Sequence, residues 1–461
     1  MKDKLKYILT PQNIAIIGAS NNLRKSSGRI IVNLLKTNYA GDIYVVNPNH
    51  KVVLEFTSYC SILDIEVDID LACIISPAET VPQIMKECVK KGVKAVIVLS
   101  GGFSENGLVG KKLEVELQQI IQDEDIVVYG PNSPGIFSYI DQWGISFSPR
   151  FEPKFFEAGN VGLISQGGTL ARAILDANEK GVRFSYWFSP GNEIDIDLND
   201  CLEFLIEDNS TEVILLVMES YFEEERFFNL VHQAFEKNKP IIVLSVGKTI
   251  ETISALPKYA GKEAKNPFPW EVIQHPGIML VNSVDEMVSL AWMFSHYDQT
   301  RGERTIIFSW SGGSSIYMAD LCAKFQIHLP DLSNDLKEKL QHQIKIKDYF
   351  TNPLDITTTV YDDIEILTNS LRYVVHSDEF DYIVVIFPFH IDYINEVLAR
   401  ELIRYIKEHQ EKVFIPVFLS QGYQAELSLE LIQQQKVPYF LNEYTAMKAL
   451  SMFIGYKKQR M

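Results

Sequence analysis

The sequence predicts an α/β protein built from parallel sheets, and two patterns support this prediction. Short apolar runs bounded by turn residues alternate with helical patterns along the chain, as they do in βαβ units. At residues 13–20, 160–169 and 305–315, an apolar strand pattern runs into a turn of small residues and then into a helical pattern. Such a turn brings backbone N–H groups and the positive end of a helix dipole towards one point, where an anion can bind.

The strand patterns fall into three series, with helical patterns such as 28–37 and 81–91 between them. The first series predicts strands at 14–17, 43–46, 71–75, 95–99 and 126–129. The second predicts strands at 161–164, 182–188, 212–218, 241–246 and 277–280. The third predicts an amphipathic helix at 333–343 and strands at 305–309, 382–387, 413–418 and 438–440.

Breaks near 141–153 and 297–303 divide the 461 residues into three expected domains. Their expected bounds are 1–145, 153–298 and 303–461. The first domain resembles a Rossmann-like, dinucleotide-binding fold, and the other two resemble shorter, flavodoxin-like sheets.

Charge and composition argue against several classes of function. The formal net charge of −17 disfavours binding to the phosphate backbone of a nucleic acid. No apolar run approaches the roughly 18 residues of a membrane span, and the N-terminus shows no secretory signal. The five cysteines are scattered and lie mostly in apolar segments, which is typical of reduced thiols in the cytoplasm and not of disulfides or a metal site.

The first turn, Gly18-Ala-Ser20, favours a nucleotide-type ligand other than a nicotinamide. The G-x-G-x-x-G fingerprint is absent, and the second strand ends in Asn47-Pro48 where a nicotinamide-binding protein usually offers a carboxylate to the ribose. Both departures count against a dehydrogenase. A plain strand–helix turn without a ligand remains the alternative at this point.

Further motifs follow the first turn in a specific order along the whole chain. They are Lys25, Gly28-Arg29, Asn47-Pro48, Ser76-Pro-Ala78, Gly130-Pro-Asn-Ser-Pro-Gly-Ile136, Ser165-Gln-Gly-Gly-Thr-Leu170, Pro190-Gly-Asn192, Gly247-Lys-Thr249 and Asn352-Pro-Leu-Asp-Ile356. Together they resemble the NDP-forming acyl-CoA synthetases, the relatives of succinyl-CoA synthetase and of ADP-forming acetate–CoA ligase. In one motif Ser133 stands where the family usually has a cysteine.

The resemblance implies that CoA lies across the first domain. Its diphosphate would meet the turn and the ammonium of Lys25, and other residues would shape the cleft. The CoA-binding residues so implied are Gly18, Ser20, Lys25, Pro48, Pro77 and Asn132, with Asn47 beside them.

The second turn is implied to hold phosphate or an acyl phosphate through Gly167, Gly168 and Thr169. In the family this turn faces a catalytic histidine that carries phosphate between two sites and is oriented by a carboxylate, which matches Glu203 here. The histidine's position, about a dozen residues after the Gly247-Lys-Thr249 turn, is occupied by Tyr259. Because a tyrosine hydroxyl has an unperturbed pKa of about 10 and forms a stable phosphate ester, we expect no phosphohistidine relay.

The third turn, Ser311-Gly-Gly313, is expected to serve packing. No segment resembles the family's ATP-grasp module or a Walker-type P-loop, so ATP or ADP with Mg²⁺ is expected only through an ATP-grasp β-type partner. The expected function is therefore that of the α-type subunit of an oligomeric, cytoplasmic acyl-CoA synthetase, which joins a small carboxylic acid to CoA. The alternative is a non-catalytic, CoA-binding regulatory or scaffold paralogue.

Overall fold

The computed structural model describes residues 4–149, 151–219, 224–247, 249, 275–297, 302–344, 350–388, 392–419 and 426–460. The chain forms two compact units. One consists of Met1–Glu179 and Arg183–Val284, and the other of Lys180–Val182 and Asp285–Met461. The first unit holds two sheets of seven strands, and the second holds one sheet of four strands.

The first sheet has the strand order β3-β4-β2-β1-β5-β6-β7 and is parallel apart from the antiparallel pair β3 and β4. The strands are β1 Asn13–Ile17, β2 Asp42–Val46, β3 Val52–Val53, β4 Phe56–Tyr59, β5 Leu71–Ile74, β6 Ala95–Val98 and β7 Val127–Tyr129. Every residue of β5 and β6 is buried, which explains their continuous apolar sequences. The helices of this region are α1 Lys4–Leu9, α2 Ser26–Leu35, α3 Val81–Lys91 and α4 Gly107–Ile121.

The second sheet has the order β14-β13-β12-β10-β11-β8-β9, and its first five members are parallel. The strands β8 and β9 form an antiparallel hairpin that pairs with β11. The strands are β8 Gly135–Ser138, β9 Trp143–Ser146, β10 Ala158–Ser165, β11 Phe184–Ser189, β12 Val213–Met218, β13 Ile241–Ser245 and β14 Ile278–Val281. The helices are α5 Gly168–Leu175, α6 Leu198–Glu207 and α7 Glu224–Glu236.

The second unit has a fully parallel sheet in the order β16-β15-β17-β18. Its strands are β15 Thr305–Ser309, β16 Leu354–Asp355, β17 Tyr382–Phe387 and β18 Val413–Phe418. Its helices are α8 Val284–His296, α9 Gly312–Lys324, α10 Asn334–Gln343, α11 Ile364–Val375, α12 Asp392–Glu408, α13 Glu426–Gln434 and α14 Glu443–Arg460. None of the helices in the described ranges is long and apolar enough to cross a membrane.

The α/β fold class with mainly parallel sheets is confirmed, and the predicted helix at 81–91 and strands at 305–309, 382–387 and 413–418 match the structure to the residue. The strand predicted at 438–440 is wrong, because this segment makes only an isolated bridge between Val417 and Phe440. Pro438 lacks the N–H that a strand would donate. The short strands β3, β4, β8, β9 and β16 were not predicted. The domain bounds stay a prediction.

Candidate functional site

The first turn lies at the carboxyl end of β1, between the ends of its neighbours β2 and β5. Gly18 adopts a φ of +90°, and its N–H donates to the carbonyl oxygen of Val46 at 2.9 Å. A Cβ at position 18 would lie 2.4 Å from the carbonyl oxygen of Ile75, so only glycine fits there. The connections from β1 run first to β2 on one side and later to β5 on the other side, so the strand order switches between β1 and β5. Open α/β sheets bind ligands at such a switch point.

The residues after Gly18 form a loop held by its own polar groups. The Asn47 amide donates to the carbonyl oxygen of Ala19 at 2.8 Å, and the Ser20 hydroxyl accepts from the N–H of Asn22 at 3.1 Å. Lys25 follows as the residue that begins helix α2, and its exposed ammonium makes no hydrogen bond or ion pair within the described part of the chain. The turn therefore presents a cation and an uncapped helix N-terminus together.

The opposite side of this edge carries Pro77 and Asn132. Pro77 is exposed and follows β5. Asn132 follows the end of β7 with a φ of +57°, and its N–H donates to the carbonyl oxygen of Ser100 at 2.9 Å. The structure thus brings the six sequence-predicted CoA residues to the carboxyl edge of one sheet, where they follow the ends of β1, β2, β5 and β7.

A polar network holds Asn132 in place. Its side-chain amide donates to Asn192 Oδ1 at 3.4 Å, and the Asn192 amide donates to carboxylate oxygens of Glu105 at 2.9 Å and Glu114 at 2.7 Å. Glu105 also accepts from the backbone N–H groups of residues 102 and 103. Two carboxylates therefore orient the Asn192 amide, which in turn accepts from Asn132, a residue that the sequence predicts in the CoA cleft.

The second turn joins β10 to α5. Gly167 begins the helix without a side-chain cap, and the Ser165 hydroxyl donates to the Gly167 carbonyl oxygen at 2.5 Å. A Cβ on Gly168 would lie 3.0 Å from Pro134 Cγ, so the turn packs closely against the segment that follows β7. Thr169 is exposed. The capping position of this helix thus offers no side-chain acceptor to the first N–H groups, which suits an anion.

A carboxylate that the sequence analysis missed lies beside this turn. A Cβ on Gly167 would come within 2.3 Å of Glu219 Oε1, and the Glu219 N–H donates to Gln166 Oε1 at 2.7 Å. Glu219 directly follows the apolar strand β12, which pairs with β10. The sequence signal that could have indicated Glu219 was a charged residue directly after β12, the strand next to β10. Its position at a helix N-terminus is electrostatically favourable.

Glu203, the predicted orienting carboxylate, lies on α6 in a cluster around Arg226. Arg226 Nη2 is 2.6 Å from Asp200 and 3.1 Å from Glu203, and Arg226 Nη1 is 3.6 Å from Asp197. Burial and the neighbouring Asp200 raise the pKa of Asp197 to about 6. Tyr259, the residue predicted to face Glu203, lies outside the described residues, so that pairing stays a prediction.

A cavity of about 580 Å³ extends from the second turn towards helix α2. Gly168, Thr169 and Arg172 of α5 line it, together with Arg29 of α2 and Pro134. Half of the remaining lining residues are aromatic, and they belong to the β8–β9 hairpin, the segment after it and β11. We call this space the aromatic cavity; the sequence analysis did not predict it.

The fold and these sites define an α/β ligand-binding protein with two uncapped turns at the carboxyl edges of parallel sheets. Family models match both regions: "CoA binding domain" matches residues 12–138 and "Succinyl-CoA ligase like flavodoxin domain" matches residues 158–294. The α subunit of an ADP-forming acetate–CoA ligase I from Pyrococcus furiosus is 29% identical over 466 residues, which cover 98% of both chains.

Two further comparisons agree with these matches. The ADP-forming acetate–CoA ligase I of Archaeoglobus fulgidus is 29% identical over 98% of this chain, which spans 64% of the length of that relative. A dinucleotide forming acetyl-coenzyme A synthetase 1 from Ca. Korarchaeum cryptofilum, solved with phosphate and ADP, superposes with a TM-score of 0.87 at 25% identity and covers 100% of this chain and 98% of that one. These matches confirm the resemblance to the NDP-forming acyl-CoA synthetases that was read from the motifs.

Proposed function

We propose that this chain is the CoA-binding, α-type subunit of an NDP-forming acyl-CoA synthetase, which joins a carboxylic acid to CoA through an acyl phosphate. The observation that carries the proposal is an end-to-end match with an α subunit, on a chain whose two family-matched regions each hold an uncapped turn at a sheet edge. The ATP-grasp partner would bind ATP or ADP with Mg²⁺ and form the acyl phosphate.

CoA would lie on the first sheet with its diphosphate at the Gly18–Ser20 turn. The close approach of Gly18 to the end of β5 leaves the turn open on its outer side, and Lys25 supplies a positive charge next to it. Pro48 and Pro77 are exposed on either side of the turn and would form the walls of the cleft, with Asn132 at its far end. Charge-assisted contacts of this kind are the strong part of diphosphate recognition.

The phosphoryl group would lie at Gly167, Gly168 and Thr169, where the N-terminus of α5 stabilises negative charge. Under this proposal Tyr259 occupies the position of the family's histidine, with Glu203 as its predicted orienting carboxylate. Glu219 lies nearer to the turn, and its charge would act directly on a bound phosphoryl group. The CoA thiol would attack the acyl carbon of the acyl phosphate, forming the thioester and releasing inorganic phosphate, without a phosphorylated imidazole.

Calorimetry of the full chain with CoA, ADP and NAD tests the first part of the proposal. We expect CoA to bind and NAD not to bind. Lys25→Gln should weaken CoA binding by about threefold to tenfold, the size of one exposed charge contact. Lys112→Gln, at another exposed lysine on α4, is the matched control and should leave the affinity unchanged. A chain that fails to bind CoA at millimolar concentration would refute both this proposal and its alternative.

Labelled ATP together with an ATP-grasp partner tests the second part. We expect acyl-CoA to form while no acid-labile phosphate appears on this chain. Tyr259→His is the matched variant because it introduces the imidazole of the family position. Acid-labile phosphate on the unmodified chain would contradict the proposed direct transfer.

The second candidate function is a non-catalytic CoA sensor or scaffold, and Tyr259 in place of the histidine is the observation that favours it. CoA binding without acyl-CoA formation across a panel of carboxylates and partners would support this candidate. Both candidates imply the three domains at 1–145, 153–298 and 303–461, assembly with other subunits, and a cytoplasmic location.

A further inference from the structure

The aromatic cavity has a rigid wall. The ring of Phe137 lies 4.7 Å from those of Tyr139 and Phe156 and 5.4 Å from that of Phe151, and the rings of Phe151 and Phe156 are 4.8 Å apart. All four side chains are buried, and Trp187 adds a further buried ring to the lining. Because the rings support one another in edge-on and tilted contacts, the space between them is pre-formed.

Polar groups also line the same cavity. Gly168 and Thr169 of the uncapped α5 turn line it, together with Arg172, whose guanidinium lies 3.1 Å from the Asp176 carboxylate. Elsewhere in the wall Arg29 is fixed by donating from Nε to the carbonyl oxygen of Phe147 at 2.9 Å. The cavity with the aromatic rings is therefore also lined by the turn where we propose that the acyl phosphate lies.

We infer that the aromatic cavity binds the acyl group of the substrate and that this substrate is a ring-bearing or similarly bulky, apolar carboxylic acid. The inference rests on the proposed function and names its substrate class. The carboxyl group would face Gly168 and Thr169, and the apolar part would lie against Phe137, Phe151 and Phe156.

The size and the lining of the cavity carry this inference. A volume of about 580 Å³ is in the range of small-molecule sites, whereas acetate has only a methyl group beyond its carboxylate and would leave most of the aromatic wall without contact. In a hydrophobic pocket each added methylene that fits can raise the affinity by roughly 10-fold or more, so such a pocket favours the larger acid.

Measuring how tightly acyl-CoAs bind to the full chain tests the inference separately from the proposed function. The probes are CoA, acetyl-CoA and phenylacetyl-CoA, measured by calorimetry. We expect phenylacetyl-CoA to bind about 10-fold or more tightly than acetyl-CoA. Ala173→Phe, at an exposed residue that lines the cavity on α5, should abolish this advantage and leave CoA and acetyl-CoA unchanged.

Two further variants control the experiment. Ala323→Phe makes the same change at an exposed position of α9 and should alter no affinity. Ala173→Leu should give an intermediate loss and covers the case in which the phenylalanine variant does not fold. The inference is overturned if the two acyl-CoAs bind equally well. It is also overturned if Ala173→Phe loses affinity for CoA itself, a result that would indicate that the cavity holds the pantetheine arm. Failure of all three probes to bind overturns the proposed function instead, and this inference with it.

Discussion

Two of the three glycine turns of this chain differ from the third in how the helix after the turn begins. In the first unit, neither α2 nor α5 has a side-chain cap, since Lys25 and Gly167 stand at the capping positions. In the second unit, Ser311 caps α9 by accepting from the N–H of Ser314, and the Ser315 hydroxyl donates back to the Ser311 carbonyl oxygen at 3.0 Å. If the first two turns bind anions as proposed, the comparison teaches that a glycine turn serves as an anion site where its helix has no side-chain cap.

The largest expected effect is a difference in the free energy of unfolding between alanine variants at two glycines of these turns. Gly18→Ala should lower the free energy of unfolding by about 3 kcal/mol, because the methyl group meets the Ile75 carbonyl oxygen and the φ of +90° disfavours alanine. Gly313→Ala has no atom within 4 Å of the new methyl group and should raise it by about 0.5 kcal/mol. Urea denaturation of both variants measures the difference, and similar losses would show that the first turn is no tighter than the third.

The next effect concerns the charge at the second turn. Glu219→Gln should strengthen binding of inorganic phosphate by about 10-fold, because it removes a like charge beside the Gly167 turn at an effective dielectric constant of roughly 20. Glu203→Gln, on α6 and paired with Arg226, is the matched control and should change phosphate binding little. Calorimetry with phosphate measures both affinities. An increase in the Glu203 variant alone would assign the phosphate site to the Arg226 cluster.

A smaller effect tests the cap itself. Ser311→Ala should lower the free energy of unfolding by about 1 kcal/mol, the usual contribution of a serine N-cap. Lys25→Ala removes a side chain that makes no cap and should leave stability unchanged. Thermal or urea unfolding of the two variants measures this contrast, and a loss at Lys25 as large as that at Ser311 would show that the cap of Ser311 is not the cause of the difference.

A separate effect concerns pH at a third helix, α6, which Asp197 caps by accepting from the N–H of Asp200 at 2.8 Å. Because burial raises the folded-state pKa of Asp197 above its unfolded value, the folded chain binds this proton more tightly, and the contribution to stability falls as pH rises from about 4 to about 6. Asp197→Asn keeps a good cap and removes the titration. The free energy of unfolding of the unmodified chain minus that of the variant should therefore fall as pH rises across this window. If this difference rises instead, the pKa of Asp197 is lowered by folding and not raised.

The sequence was sufficient for features that depend on local patterns. Continuous apolar runs such as β5, β6 and β17 predicted the parallel strands, since strands buried on both faces have no polar alternation. The motif residues of the first turn also lie together, because the ends of neighbouring parallel strands meet at one edge of a sheet.

Features that depend on pairing across the chain were missed. The hairpin of β8 and β9 is rich in glycine and serine and is defined by its partner β11. Glu219 reaches the second turn only because Val217 pairs with Ser165, a register that no local pattern specifies. The aromatic cavity combines rings from a hairpin, a loop and a strand, and their common space follows from packing alone.

The short segment 130–134 links the last strand of the first sheet to the hairpin of the second. It carries Asn132 at the proposed CoA cleft and Pro134, which packs against Gly168 at the proposed phosphate turn. We expect a ligand that shifts one end of so short a link to shift the other as well. CoA and the acyl phosphate are thus expected to be thermodynamically coupled, each changing the affinity of the other by the same factor, so that occupancy of one sheet prepares the other for transfer.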